Sequence, residues 1–268
     1  MEAATHAAPA PRRLRRLEPA AVVGVMSREV ANFRTYWKGT TFSSVLEPIV
    51  YLLAFGLGLS ATLVDEVNGV PYIEFVGTGM VATAVIFSSA LPAMFGTFVK
   101  HRFQRTYDAI LAAPVDVEEL VTAEALWIAL RASVYGCFPL LVSFAFGLDP
   151  TWGMLLVPFF AFLTAIGFGS FGIAVAGTVG KIDQFNYVTT LVITPLFLVA
   201  GTFFPIDQLP EGLQVLANFN PLYQLVELVR GAAFGFEAVD VLRLLALLAF
   251  GLAMWRLAIR QMTRRLID

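Results

Sequence analysis

An ionisable side chain inside a long apolar run is costly to place in lipid. Where one occurs, it faces the interior of a helix bundle or a water-filled path. Glu47 is such a residue, lying in the apolar stretch that begins at Thr41. At three-to-four spacing Ser44, Glu47, Tyr51 and Phe55 share one helical face. That face suits either of two roles. Glu47 lines a path for a polar passenger, or it sits near the membrane interface, neutralised by Lys38 or an arginine. A second polar stripe, Asn186, Thr190 and Thr194, continues into Phe197 and Gly201, with Pro195 expected to kink the helix. Its hydroxyls either line the same path or bond back to their own backbone.

Other chemistries lack their residues. Gly180-Lys181 has neither the glycine five residues earlier nor the following Ser or Thr of a P-loop, so the chain does not hold ATP that way. His6 and His101 are the only histidines, and neither has metal-ligand company. Gly167-Phe168-Gly169-Ser170-Phe171-Gly172 matches G-x-G-x-x-G but lies inside an apolar run, not between a strand and a helix. Gly172, Ala176 and Gly180 are spaced by four, which points to close helix packing. A single cysteine, Cys137, forbids an intramolecular disulfide.

The elements that must carry these residues follow from hydropathy. The chain has 268 residues, 58% hydrophobic and only 14% charged. A soluble domain carries nearer a quarter charged residues, and about 20 apolar residues span a bilayer as a helix. The fold expected is all-α and integral to the membrane. Residues 1–16 read as a disordered cytoplasmic tail and 17–38 as an amphipathic helix on the membrane surface, with Val22, Met26, Val30, Phe33 and Trp37 on one face. Residues 39–268 then form a six-span domain. The spans are Thr41 to Ser60, Glu74 to Thr97, one within Leu120 to Phe146, one within Trp152 to Val179, Asn186 to Phe204, and Val239 to Ile259. Pro205, Pro210, Gly212 and Asn220-Pro221 break the stretch before the last span into two short helices. Lys and Arg cluster in the tail, in the second-to-third loop and at the C-terminal end. The opposite loops carry Asp65, Glu66, Asp149, Asp207 and Glu211, with Arg230 as the basic exception. By the positive-inside rule both termini face the cytoplasm of a multi-pass inner or plasma membrane protein.

Two stretches resemble a known family. Tyr107-Asp108-Ala109-Ile110-Leu111-Ala112-Ala113-Pro114-Val115 resembles the cytoplasmic loop of ABC-2 type permeases. Gly201-Thr202-Phe203-Phe204-Pro205-Ile206-Asp207-Gln208-Leu209-Pro210, with Asn220-Pro221-Leu222 and Glu227-Leu228-Val229-Arg230-Gly231, resembles their outer-face signature. The chain is most similar to permeases of nodulation lipo-oligosaccharide and daunorubicin-type drug exporters. The resemblance implies a transmembrane subunit without enzymatic activity, binding no cofactor itself. It would form a homodimer among membrane lipids and pair with two copies of an ABC ATPase subunit that holds ATP and Mg. No nucleic acid is implied.

The resemblance also implies roles for particular residues. Lys100 to Ala113 would be the coupling helix, docking through Lys100, Arg102, Phe103, Arg105, Tyr107, Asp108, Ile110 and Leu111. Phe203, Phe204, Pro205, Asn220 and Pro221 would build an outer gate, and the path would run between first and fifth spans. The passenger expected is an amphipathic drug, lipid or lipid-linked glycan moving outward. Two rivals stand beside this reading. One is a secondary transporter driven by ions through Glu47. The other is a membrane enzyme acting on lipids, for which Asp207, Glu211, Glu227, Glu237 and Asp240 are carboxylates without an adjacent histidine.

Overall fold

The computed structural model describes residues 17–57, 66, 67 and 69–267. The expected tail, residues 1–16, lies outside the described residues, as does Asp65. Helix α1 spans Pro19–Tyr51 and continues as a wide π turn, Leu52–Leu57. Proline suits the first turn of a helix because its missing N–H would be unpaired there anyway. The boundary expected after Lys38 is not a break, and α1 runs straight through it. Gly39 is the only weak residue there, and one glycine costs about 1 kcal/mol, too little to end a well-packed helix. No proline or cap follows it until Pro48.

A two-residue antiparallel ladder, β1 (Glu66–Val67) with β2 (Val70–Pro71), leads into α2, Tyr72–Arg102. A short helix α3 (Thr106–Leu111) follows, then α4 (Val117–Gly136) and α5 (Phe138–Ala145). A 3-10 turn at Trp152–Leu156 opens α6, Val157–Thr178. Next come α7 (Phe185–Val188), a π turn (Thr189–Ile193) and α8 (Thr194–Leu198). Then α9 (Glu211–Asn218), α10 (Pro221–Phe234) and α11 (Val239–Ile267) complete the chain.

Among the described residues four helical stretches are long and apolar enough to cross a membrane: Tyr72–Arg102, Val117–Ala145, Trp152–Thr178 and Val239–Ile267. The expected second, third, fourth and sixth spans coincide with them. The expected first span, Thr41 to Ser60, lies partly outside the described residues, at 58–60, and the expected fifth is not among these helices. Within the described residues the first is the end of α1, continuous through Pro48, with the π turn that follows it, and the fifth is a short helical run, Phe185–Leu198, widened by the π turn before Pro195. Proline removes one N–H from the ladder, and a wide turn absorbs the mismatch instead of the sharp kink expected. The two short helices expected before the last span are α9 and α10.

Helix α6 is the hub, packed on α2, α4 and α11. Its small residues allow the approach. A Cβ built on Gly172 would lie 2.6 Å from the Ala90 carbonyl oxygen and 3.0 Å from the Met94 nitrogen, both backbone atoms of α2. Ala176 is buried on the same side, whereas Gly180 lies past the helix end. The packing read from the G-x-G-x-x-G run is therefore real at Gly172. Replacing Gly172 by valine should destabilise the fold by about 1–3 kcal/mol or more, since backbone cannot move aside as a side chain can. Thermal melting of the detergent-solubilised chain tests this, and an unchanged transition would mean that α2 and α6 are free to separate.

Candidate functional site

Chemistry-bearing side chains gather in three places. The first is the end of the bundle where α1 begins and α2 ends. Lys100, in the last turn of α2, extends between two buried carboxylates. Its Nζ lies 3.0 Å from Glu29 of α1 and 2.8 Å from Glu124 of α4. Arg28 reaches the other oxygen of Glu29 at 3.0 Å. The Tyr107 hydroxyl of α3 donates to Glu124. Tyr107 is only 1% exposed, and burial, with the Glu124 carboxylate adding, holds its phenol well above the usual tyrosine range. The hydroxyl therefore keeps its proton and remains the donor in this hydrogen bond. Glu119 clamps the same end, accepting from the backbone N–H of Asp116 at 2.9 Å and of Glu18 at 2.7 Å.

This geometry divides the expected coupling residues. Arg102, Phe103, Arg105 and Asp108 are exposed, Phe103 at 70%. Ile110 and Leu111 are half-buried, packed against the core cluster around Tyr107. Lys100 and Tyr107 face inward and are consumed by internal partners, so they are anchors and not part of an exposed docking face. The helix is also shorter than expected, Thr106–Leu111, because Arg105 adopts a left-handed conformation, φ 49°, that turns the chain between α2 and α3.

The second place is a cleft of about 280 Å³ between α1, α2 and α4. Ser44 and Glu47, which share one helical face, line it. So do Thr83, Ser88 and Arg131, which the sequence reading passed over. Among the described residues neither Glu47 nor Arg131 has an ion-pair partner, and Lys38 does not neutralise Glu47. Tyr51 instead contacts Phe203, with ring centroids 6.5 Å apart. The Phe203 ring touches Phe197 at 5.7 Å, and Phe197 touches Phe87 on the cleft wall, also at 5.7 Å. A rail of aromatic rings thus joins the end of α1, α8 and the cleft. Phe55 lies on the π turn after α1, and its side chain is outside the described residues. Asn186, Thr190 and Thr194 form an exposed stripe away from the cleft, and Thr194 bonds back to the Thr189 carbonyl at 3.0 Å.

The third place is the opposite end. Asn220 caps α10, its Oδ1 accepting from the Leu222 N–H at 3.0 Å while its Nδ2 donates to the Leu196 carbonyl of α8 at 2.6 Å. Pro221 then occupies the first helical position. Tyr72 donates to the Phe203 carbonyl at 3.2 Å, Pro205 is buried and Phe204 is exposed. Arg230, the basic exception among the acidic loops, stacks 3.7 Å from the centre of the Phe75 ring and donates to the Gly201 carbonyl at 2.7 Å. Glu227 bridges Arg230 at 3.2 Å and Arg243 at 3.0 Å, and Arg243 meets Asp240 at 2.6 Å. The candidate gate is therefore a set of bonded segments.

Residues 21–234 match the family described as ABC-2 type transporter. The chain is 34% identical over 209 residues to Nodulation protein J of Rhizobium leguminosarum bv. trifolii, covering 76% of this chain and 79% of that one. It is 33% identical over 238 residues to Nodulation protein J of Rhizobium meliloti (strain 1021), covering 86% and 90%. It is also 25% identical over 220 residues to the inner membrane transport permease YadH of Escherichia coli (strain K12), covering 82% and 84%. The four apolar helical stretches of membrane-spanning length accord with these matches. The chain belongs to the ABC-2 type transporter family, and it is a membrane transport permease, not an enzyme.

Proposed function

We propose that this chain is the transmembrane subunit of an ATP-driven exporter, working as a homodimer with two copies of a separate ATPase that binds ATP and Mg. Both termini lie in the cytoplasm on this reading. The passenger is an amphipathic molecule: a drug, a lipid or a lipid-linked glycan. The observation that carries the proposal is the turn Arg102–Asp108. It presents two cations and an exposed aromatic ring, yet it is fastened to the membrane helices through Tyr107, Glu124 and Lys100. A surface fixed in this way can pass a partner's movement into α1 and α4, because Glu29 of α1 shares the same lysine. Transmission still requires that the partner bind the two states unequally.

The test is affinity purification of the full chain from its native membrane. We expect a P-loop ATPase to co-purify, and Phe103→Ala with Arg105→Glu to cut its recovery about tenfold or more, the loss of an aromatic anchor and a reversed charge. Lys100 and Tyr107 stay intact in that variant, so the fold persists. Full recovery of the ATPase with the double variant, or no ATPase with the native chain, overturns the proposal.

A further inference from the structure

The cleft between α1, α2 and α4 has a feature that its lining alone does not reveal. Three of its wall residues are prolines, Pro48, Pro92 and Pro139, one from each of α1, α2 and α5. Pro48 and Pro92 lie inside their helices and lack the N–H that would have bonded to the carbonyl four residues earlier, whereas Pro139 stands in the first turn of α5, where no ladder bond is lost. Those carbonyls belong to Ser44 and Ser88, and both residues line the same cleft. The ladders of α1 and α2 are thus each short of one bond at a residue that lines this cleft. At Ser88 the freed carbonyl is met by Arg131, whose Nη2 lies 3.4 Å away. That single long bond uses one of five guanidinium donors. The Thr83 hydroxyl is buried in the same wall with no hydrogen-bond partner among the described residues.

Depth makes this arrangement expensive. Arg131 stands midway along the span Val117–Ala145, and Pro92, Ser88 and Thr83 occupy the middle of the span Tyr72–Arg102. An unpaired charge at such a position costs several kcal/mol. Glu47, also unpaired, sits on the rim of α1, about 10 Å along the helix axis from Thr40 at the other edge. A neutral sugar would leave both charges uncompensated. A simple anion would satisfy Arg131 and be repelled by Glu47, and a simple cation would meet the reverse. A ligand that carries both an anionic group and an ammonium satisfies both.

We propose that this cleft binds a zwitterionic headgroup, its phosphate or carboxylate on Arg131 and its ammonium on Glu47 and the Ser44 carbonyl freed by Pro48. The aromatic rail from Phe87 through Phe197 to Phe203 then gives an attached apolar chain a route out of the cleft. The site deepens the transport reading above and rests on it for the movement of its ligand, but its occupancy needs no ATPase.

Binding is therefore measured on the full permease alone, purified in a maltoside detergent, by calorimetric titration. The probes are dihexanoyl phosphatidylethanolamine, dihexanoyl phosphatidylglycerol and free glycerophosphoethanolamine. We expect the zwitterionic lipid to bind about tenfold or more tighter than the anionic one, the worth of one charge-assisted contact. Arg131→Gln should weaken it by a similar factor. Glu47→Gln should erase the preference and raise affinity for phosphatidylglycerol, while Arg131→Lys should retain most of the binding. Equal binding of glycerophosphoethanolamine assigns the site to a soluble zwitterion, and binding of the chain-bearing form alone assigns it to a lipid; both support the proposal. Equal affinity for both lipids in the native chain, or unchanged affinity in monodisperse Arg131→Gln and Glu47→Gln variants, overturns it. Loss of export with this binding intact would instead count against the transport reading.

Discussion

Lys100→Met should destabilise the protein by about 3–5 kcal/mol, the cost of stranding buried charge when one partner of an ion pair is removed. Glu29 and Glu124 are 5% and 3% exposed, and Lys100 is the only cation that touches both among the described residues. Without it, two carboxylates from different helices face one another in a poorly solvated space. Arg28 reaches only Glu29, and its side chain is 43% exposed, so it compensates weakly. The effect should be local as well as global. Helix α1 would detach at its first half, exposing Val25, and α3 would lose the carboxylate geometry that holds Tyr107. Denaturant unfolding in detergent measures the first effect, and thiol labelling of a cysteine placed at Val25 measures the second. The variant carrying Glu29→Gln, Lys100→Met and Glu124→Gln together should recover most of the stability, because it removes the charges along with their partner. A loss below about 1 kcal/mol in the single variant would mean that water already reaches these groups.

Arg230→Met has the second largest expected effect, about 2–4 kcal/mol, and acts at the opposite end. Methionine keeps an apolar contact with Phe75 while removing the cation over the ring, the bond to the Gly201 carbonyl and the bridge to Glu227. Glu227 keeps Arg243, so no carboxylate is stranded, and the cost is smaller than at Lys100. What is lost is the hold on residues 199–205. Gly201 sits at φ 75°, a conformation that an isolated loop has little reason to keep once its carbonyl is unbonded. Limited proteolysis should therefore cut this segment in Arg230→Met much faster than in the native protein. Arg230→Lys should fall between, because an ammonium holds charge but not the planar fork that stacks and donates at once. Equal cleavage in all three proteins would show that Tyr72 and Thr202, bonded to Phe203 and near Gly79, suffice to fix the loop.

Long-range partners are where the sequence reading fell short. The apolar runs located the helices at Tyr72, Val117, Trp152 and Val239, because a bilayer-length run is a local property. Gly172 was readable for the same reason, since small residues at spacing four have one strong use. Tyr107 and Lys100 look like loop residues from their neighbours, and only the fold brings Glu124 and Glu29 to them. Glu124 and Arg131 were passed over because the averaged hydropathy of residues 120–146 hides single charges. The question asked of Glu47, why an ionisable group lies in an apolar run, applied equally to them. The break expected after Lys38 came from a change in polarity at Thr41. Helices end at caps, glycines and prolines, and only Gly39 lies there.

An unbroken α1 has a mechanical consequence. Thirty-three residues make a rod about 50 Å long. Partway along it, Thr41 is hydrogen-bonded to Tyr135 of α4 at 2.9 Å. A tilt of about 10° around that bond would sweep the Pro19 end through roughly 6 Å, while Glu47, on the short arm, would shift by only about 1.5 Å. The rod would work as a reducing gear, trading a large, soft displacement at one end for a small, forceful one beside the cleft. A displacement of that size is comparable to the difference between a hydrogen bond and a gap.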